Sequence, residues 1–162
     1  EIVAMSTAPG FDPNQKPKNV AELATNRALQ FVYEPGSTFK LITAAAAVET
    51  VPNWQKYTHV CNGIAPVGGR PMRCWVNSTS QRRHGEEDLS EGIRDSCNFS
   101  MYGFARLMGA QTLHEYSKKF GLGEKVELAN LREDLGYVAP RPEDWGQRQL
   151  ASFSFGQSMS LT

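Results

Sequence analysis

The run Glu34-Pro35-Gly36-Ser37 followed by Thr38 to Thr50 constrains the fold more than any other stretch. Pro35 and Gly36 break the backbone, and the segment after them contains four consecutive alanines at 44–47. Alanine has the highest helix propensity, so a helix is predicted over about Ser37–Thr50. Val51-Pro52-Asn53 should stop it, because the residue before a proline is pushed out of the helical region. Ser37 then lies at a helix N-terminus, where unpaired N–H groups and the macrodipole favour negative charge. Lys40 follows one turn later on the same face.

A serine beside a lysine whose pKa is depressed by burial is a complete nucleophile-and-base unit. Taken as a pair alone, Ser37 and Lys40 fit an N-cap and a solvated lysine as well. The rest of the chain supplies context. Leu41–Val48 is too short to span a bilayer. Lysine plus arginine is 17 and aspartate plus glutamate is 17. That balance excludes a nucleic-acid binder, which needs a phosphate-neutralising excess of cations. The chain starts at Glu1, runs directly into Ile2-Val3-Ala4-Met5 and stops at Leu161-Thr162, so a segment of a longer protein is expected.

A weak strand is expected over Glu1–Ser6 and a weak helical pattern over Val20–Gln30. Tyr57–Trp75 should form a short hairpin or irregular excursion, and Asn77–Glu87 a surface loop. Asp88 and Ser90 suit the start of a helix ending near Asp95. Further helices are expected over Asn98–Met108, ended by Gly109, and Gln111–Phe120, closed by Gly121. Residues 123–142 read as loop with at most short strands. Trp145–Thr162 carries no pattern that assigns it.

Ser96 and Asn98 are two residues apart and can face one cleft from one loop, although such residues also cap and turn the backbone locally. The three cysteines, Cys61, Cys74 and Cys97, cannot all pair within the chain. Cys61 and Cys74 fit either a disulfide or two buried thiols, and Cys97 reads as a buried, inert thiol. Cys61, Cys74 and His84 are candidate metal ligands by type, but their spacing holds no Cys-x-x-Cys pair, so no metal site and no cofactor are expected.

Tyr33-Glu34-Pro35-Gly36-Ser37-Thr38-Phe39-Lys40 resembles the first motif of the class B penicillin-binding proteins. Ser96-Cys97-Asn98 resembles their Ser-x-Asn motif. The opening Glu1–Ser6 with Phe11-Asp12-Pro13-Asn14, Asn26-Arg27-Ala28, Phe120-Gly121-Leu122-Gly123 and Phe155-Gly156-Gln157 match further landmarks in order. Cys61-Asn62-Gly63, Cys74-Trp75 and His84-Gly85 resemble a segment of sporulation- and division-type members.

The resemblance implies an α/β (α+β) serine transpeptidase/β-lactamase-like fold, present over 1–162 as a helix-rich part with few strands. It implies a peptidoglycan D,D-transpeptidase in which Ser37 attacks a D-Ala-D-Ala stem peptide. Lys40 would accept the serine proton and Ser96 would relay a proton to the leaving amine. Asn98 would hydrogen-bond Lys40 and substrate. Peptidoglycan stem peptides, β-lactams and cell-wall synthesis or division proteins are the implied partners, on the outer face of a bacterial membrane. The family's third motif, Lys-Ser/Thr-Gly, follows none of the chain's lysines, so its strand is expected beyond Thr162 and this chain alone should be weak or inactive. A serine β-lactamase or sensor, and a non-catalytic fragment, are the alternatives; a class D β-lactamase would carry Ser-x-Val in place of Ser96-Cys97-Asn98.

Overall fold

The computed structural model describes residues 4–15, 17–125, 127–128 and 131–162. Among these the architecture is helix-rich with few strands, as the sequence predicts. Two short helices, α1 (Val20–Leu23) and α2 (Arg27–Gln30), replace the single pattern expected over Val20–Gln30. The break falls at Asn26, whose side chain accepts from Ala28 N–H and starts α2 afresh. The strand expected over Glu1–Ser6 falls partly outside the described residues, and residues 4–6 join no ladder.

A 3-10 turn, Gly36–Phe39, leads into α3 (Lys40–Thr50). The helix ends at Val51, in extended backbone before Pro52. Small side chains let α3 lie close against the long helix α5 (Asn98–Lys119). Ala44, Ala47 and Val51 pack with Met101 and Phe104 of α5 and with Leu89. Phe104 is fully buried and also meets the His59 ring edge-on at 4.8 Å.

Helix α5 carries a kink at Gly109 (φ 82°), so the two helices expected on either side of that glycine are real but contiguous. Its C-terminus closes in a Schellman arrangement: Leu122 N–H donates to Ser117 O and Gly121 N–H to Lys118 O. Gly121 takes the left-handed conformation this requires (φ 78°). Before it, α4 (Leu89–Arg94) starts in a complete capping box between Asp88 and Glu91.

Four short strands are present among the described residues. β2 (Ile64–Val67) and β3 (Arg70–Arg73) form a hairpin around Gly68-Gly69, both at positive φ, as a two-residue turn demands. β1 (His59–Cys61) pairs antiparallel with β4 (Gly85–Glu87), with Cys61 opposite Gly85. The sequence predicts a surface loop over 77–87, whereas its last three residues are β4. A three-residue strand carries too short an alternation to be read without its partner.

Residues 145–162, which sequence left open, form α6 (Gln147–Ser154) and a return segment. Leu161 bridges to Tyr33 and Ser160 to Tyr137. Phe39, Ala105, Leu113, Phe153 and Met159 make the core between α3, α5 and α6. Phe39 and Phe153 meet edge-to-face at 5.2 Å, a geometry the ring quadrupoles favour. Thr43, fully buried, is satisfied by donating to Ser154 O at 2.7 Å.

Candidate active site

The turn before α3 is fixed by a backbone contact. Gly36 N–H donates to Gly156 O at 2.9 Å, and a β-carbon on Gly156 would sit 2.0 Å from Gly36 O. Gly36 (φ 56°) and Gly156 (φ 80°) both adopt the left-handed conformation. The Pro-Gly-Ser and Phe-Gly-Gln segments are therefore two halves of one close approach, which explains why each holds a glycine. Glu34 adds a clamp by accepting from Ser158 N–H at 3.1 Å.

Ser37 emerges from this turn exposed to solvent, while Lys40, one turn further, is only 2% exposed. Burial pulls the Lys40 pKa down to about 8, against the opposing pull of Cys74, Cys97 and Glu87. A folded pKa near 8 keeps a working fraction of free amine at neutral pH.

Ser96 sits between the two. Its hydroxyl lies 3.0 Å from Ser37 Oγ and 2.9 Å from Lys40 Nζ. Lys40 Nζ also donates to the Ser96 carbonyl. Ser96 reaches this position by adopting positive φ (50°) in the turn between α4 and α5, a conformation costly for a non-glycine residue. Trp75 Nε1 donates to the same Ser96 carbonyl at 3.1 Å and holds the turn from the other side.

The structure thus brings Ser37, Lys40 and Ser96 into one hydrogen-bonded chain. Asn98, the first residue of α5, lines the same cleft, and its backbone N–H donates to Cys74 Sγ at 3.4 Å. Among the described residues no hydrogen bond joins Asn98 to Lys40, and none joins Ser37 directly to Lys40.

The cleft, about 310 Å³, is lined by Gly36, Ser37, Trp75, Ser96, Asn98, Phe155 and Gln157. It continues through Trp75, Asn98, Phe155 and Gln157 into a larger groove of about 580 Å³ bearing Arg73 and Arg148. Sequence reasoning did not find Trp75 as a wall of the site; an aromatic next to a cysteine carries no local signal for that role.

A second constellation lies directly behind the site. Cys61, Cys74 and Cys97 are buried and free, so the disulfide considered for Cys61 and Cys74 is not formed. Their sulfurs and a ring nitrogen of His84 all lie within 4.8 Å of one another. Hydrogen bonds from Cys61 and then Cys97 pull the Cys74 thiol pKa down. The buried Glu87 carboxyl beside them is pushed up by desolvation.

Comparison with known proteins places the chain in a family. The family described as penicillin binding protein transpeptidase domain matches residues 1–162. Stage V sporulation protein D of Bacillus subtilis is 36% identical over 165 residues, covering 100% of this chain and 25% of that protein. Peptidoglycan D,D-transpeptidase FtsI of Escherichia coli is 27% identical over 163 residues, covering 100% of this chain and 26% of FtsI. The chain therefore spans about a quarter of the length of these curated relatives.

Among solved structures, Pseudomonas aeruginosa PBP2 in complex with WCK 5153 superposes with a TM-score of 0.81 at 26% identity, over 100% of this chain and 41% of that one. Penicillin-binding protein A of M. tuberculosis, as a ceftriaxone acyl-enzyme complex, gives 0.79 at 26% identity, over 98% and 38%. With the family match running the full length and the fold agreeing, this chain belongs to the penicillin-binding protein transpeptidase domain family.

Proposed function

We propose that this chain carries the nucleophile side of a peptidoglycan D,D-transpeptidase, acting through an acyl-enzyme on Ser37. The observation that carries the reading is the contact chain from Ser37 Oγ through Ser96 Oγ to a buried Lys40. Neutral Lys40 takes up the Ser37 proton by way of the Ser96 hydroxyl as Ser37 Oγ bonds to the penultimate D-Ala carbonyl carbon. The C–N bond to the terminal D-Ala then breaks, and the stored proton passes through Ser96 to the departing amine. An amine of a second stem peptide later attacks the ester, forms the cross-linking amide and returns the proton to Ser37. Asn98, on the cleft wall, orients the substrate amide.

A β-lactam opens its ring on Ser37 by the same first step. No lysine of the chain precedes Ser-Gly or Thr-Gly, so the reading requires that a Lys-Ser/Thr-Gly strand with its oxyanion donor complete the working site. One such donor is worth roughly 2.7–4 kcal/mol in the transition state. The Tyr33–Leu161 and Tyr137–Ser160 bridges, with Tyr33 and Tyr137 exposed, are where further sheet would add. The whole protein then works outside the cytoplasm against the cell wall; among the described residues no helix is long and apolar enough to cross a membrane.

The test is intact-mass spectrometry after exposure to a penicillin, with Ser37→Ala alongside. A lasting adduct on the parent sequence and none on the variant supports the transpeptidase. Rapid loss of the adduct with penicillin hydrolysis would assign a β-lactamase instead. No adduct on a folded full-length protein would leave only a scaffold.

A further inference from the structure

Cys61, Cys74, His84 and Cys97 take no part in the acyl-transfer chemistry, yet four segments converge to bury them together. Cys61 ends β1, Cys74 follows β3, His84 precedes β4 and Cys97 is the residue before α5. Their spacings of 13, 10 and 13 residues resemble no local ligand motif, so only the fold reveals the set. We propose that these four residues form a closed metal site for a zinc-type divalent cation, which pins the Ser96 turn to the β1–β4 ribbon.

The distances fit. A tetrahedral centre with Zn–S near 2.3 Å separates its ligand atoms by roughly 3.8 Å. His84 Nδ1 lies 3.8 Å from Cys74 Sγ, and all four ligand atoms lie within 4.8 Å of one another. The sulfurs are unbonded, and ligand atoms within 4.8 Å of one another need to close by only about an ångström to reach that separation. Three thiolates and an imidazole are the donor set of structural zinc sites, and four protein ligands leave no open position for catalysis.

Polar groups are buried around the cluster. Glu87 is 2% exposed, yet neither carboxylate oxygen makes a hydrogen bond. It lies 3.9 Å from His84 Nδ1, and His84 Nε2 is itself buried without a partner. Zinc held by three thiolates and an imidazole carries one net negative charge, so the site depends on donors around the sulfurs. Backbone N–H groups of Asn98 and Ser100 each point at a sulfur, Cys74 Sγ and Cys97 Sγ, at 3.4 Å. Such donors outside the ligand shell orient thiolates and stabilise their charge.

The placement gives the site its role. Cys97 is flanked by Ser96 and Asn98, and Cys74 by Trp75, which holds the Ser96 carbonyl. A metal bond at Cys97 therefore fixes a strained turn that the nucleophile depends on, without touching substrate.

The experiment uses the full-length protein, purified under reducing conditions without chelator. Elemental analysis is expected to give about one zinc per chain. Cobalt(II) added to the stripped protein should give the visible bands of a tetrahedral site and sulfur-to-metal charge transfer in the near ultraviolet. Cys61→Ser and His84→Ala should weaken zinc binding at least about tenfold and abolish the zinc-dependent rise in melting temperature. If either variant fails to fold, the wild-type cobalt spectrum decides alone. Octahedral cobalt spectra, zinc held equally by wild type and folded variants, or a stripped protein with three titratable thiols that takes up no metal would overturn the proposal. So would a chain two hydrogens lighter, with two of the cysteines joined as a disulfide.

Discussion

The sharpest consequence of the site is a pH dependence set by Lys40. If neutral Lys40 receives the Ser37 proton, the acylation rate follows the fraction of free amine. With a pKa of about 8, that fraction is roughly 50% at pH 8, 9% at pH 7 and 1% at pH 6. Acylation by a fluorescent penicillin, read from gel-resolved labelling over time, should therefore rise about 50-fold from pH 6 to pH 8 and level off above pH 9. A lysine at its ordinary 10.5 would instead keep rising tenfold per unit through pH 9. The same shift appears in stability. The unfolded chain binds more protons between pH 8 and 10.5, so stability rises with pH across that window. Below pH 8 the buried ammonium imposes a constant penalty of about 3 kcal/mol. Lys40→Met should remove that penalty and label no penicillin. A flat labelling rate between pH 6 and 8, measured on protein whose circular dichroism is unchanged, would show that Lys40 is not the base.

Three further substitutions test the scaffold. Gly156→Ala drives a β-carbon to 2.0 Å from Gly36 O at a left-handed position; it should cost about 2–4 kcal/mol, seen in urea unfolding, and abolish penicillin labelling by displacing the Ser37 turn. Asp88→Ala removes half of the α4 capping box and should cost about 1 kcal/mol, lowering the melting temperature by roughly 2–4 °C while labelling persists. Phe104→Ala empties a fully buried site between α3 and β1 and should cost about 3–5 kcal/mol in urea unfolding.

What was legible in the sequence was local. The α3 helix, the Asp88 start, the Gly109 interruption and the Gly121 close are each written in a few neighbouring residues, and all stand in the fold. The first turn of α3 is nevertheless 3-10, which propensity does not resolve. β4 was missed because its reason to be extended is β1, more than twenty residues away. α6 was missed because Ser, Phe and Gly mix in 145–157 for packing and close-approach reasons. Phe153 fills the core against Phe39, and Gly156 admits the Gly36 backbone. The candidate site divides the same way. Ser37 and Lys40 are one helical turn apart and readable together; that Ser96 bridges them depends on a tertiary turn at positive φ. Cys61, Cys74 and His84 stand out as ligand types, but their spacing argues against a metal, because the cluster, with Cys97, forms only where four separate segments meet.

The bridge makes Ser96 the place where two mechanisms part. In the resting geometry Lys40 reaches Ser37 only through the Ser96 hydroxyl, with links of 2.9 and 3.0 Å. A hydroxyl both donates and accepts, so it can pass a proton on while receiving one. If acylation uses this relay, Ser96→Ala should slow penicillin labelling by about 10²–10⁴-fold, the usual worth of a positioned proton transfer. Two protons then move together, and the wild-type labelling rate in mixtures of light and heavy water should curve downward with deuterium content. If Lys40 instead swings to contact Ser37 directly, the alanine variant keeps near-normal labelling, and the rate falls linearly with deuterium. Ser96→Ala also spares the Ser96 carbonyl that Lys40 and Trp75 grip, so the lysine stays in place and the variant isolates the hydroxyl. Near-normal labelling of a folded Ser96→Ala protein would therefore refute the relay and leave Lys40 as a direct base.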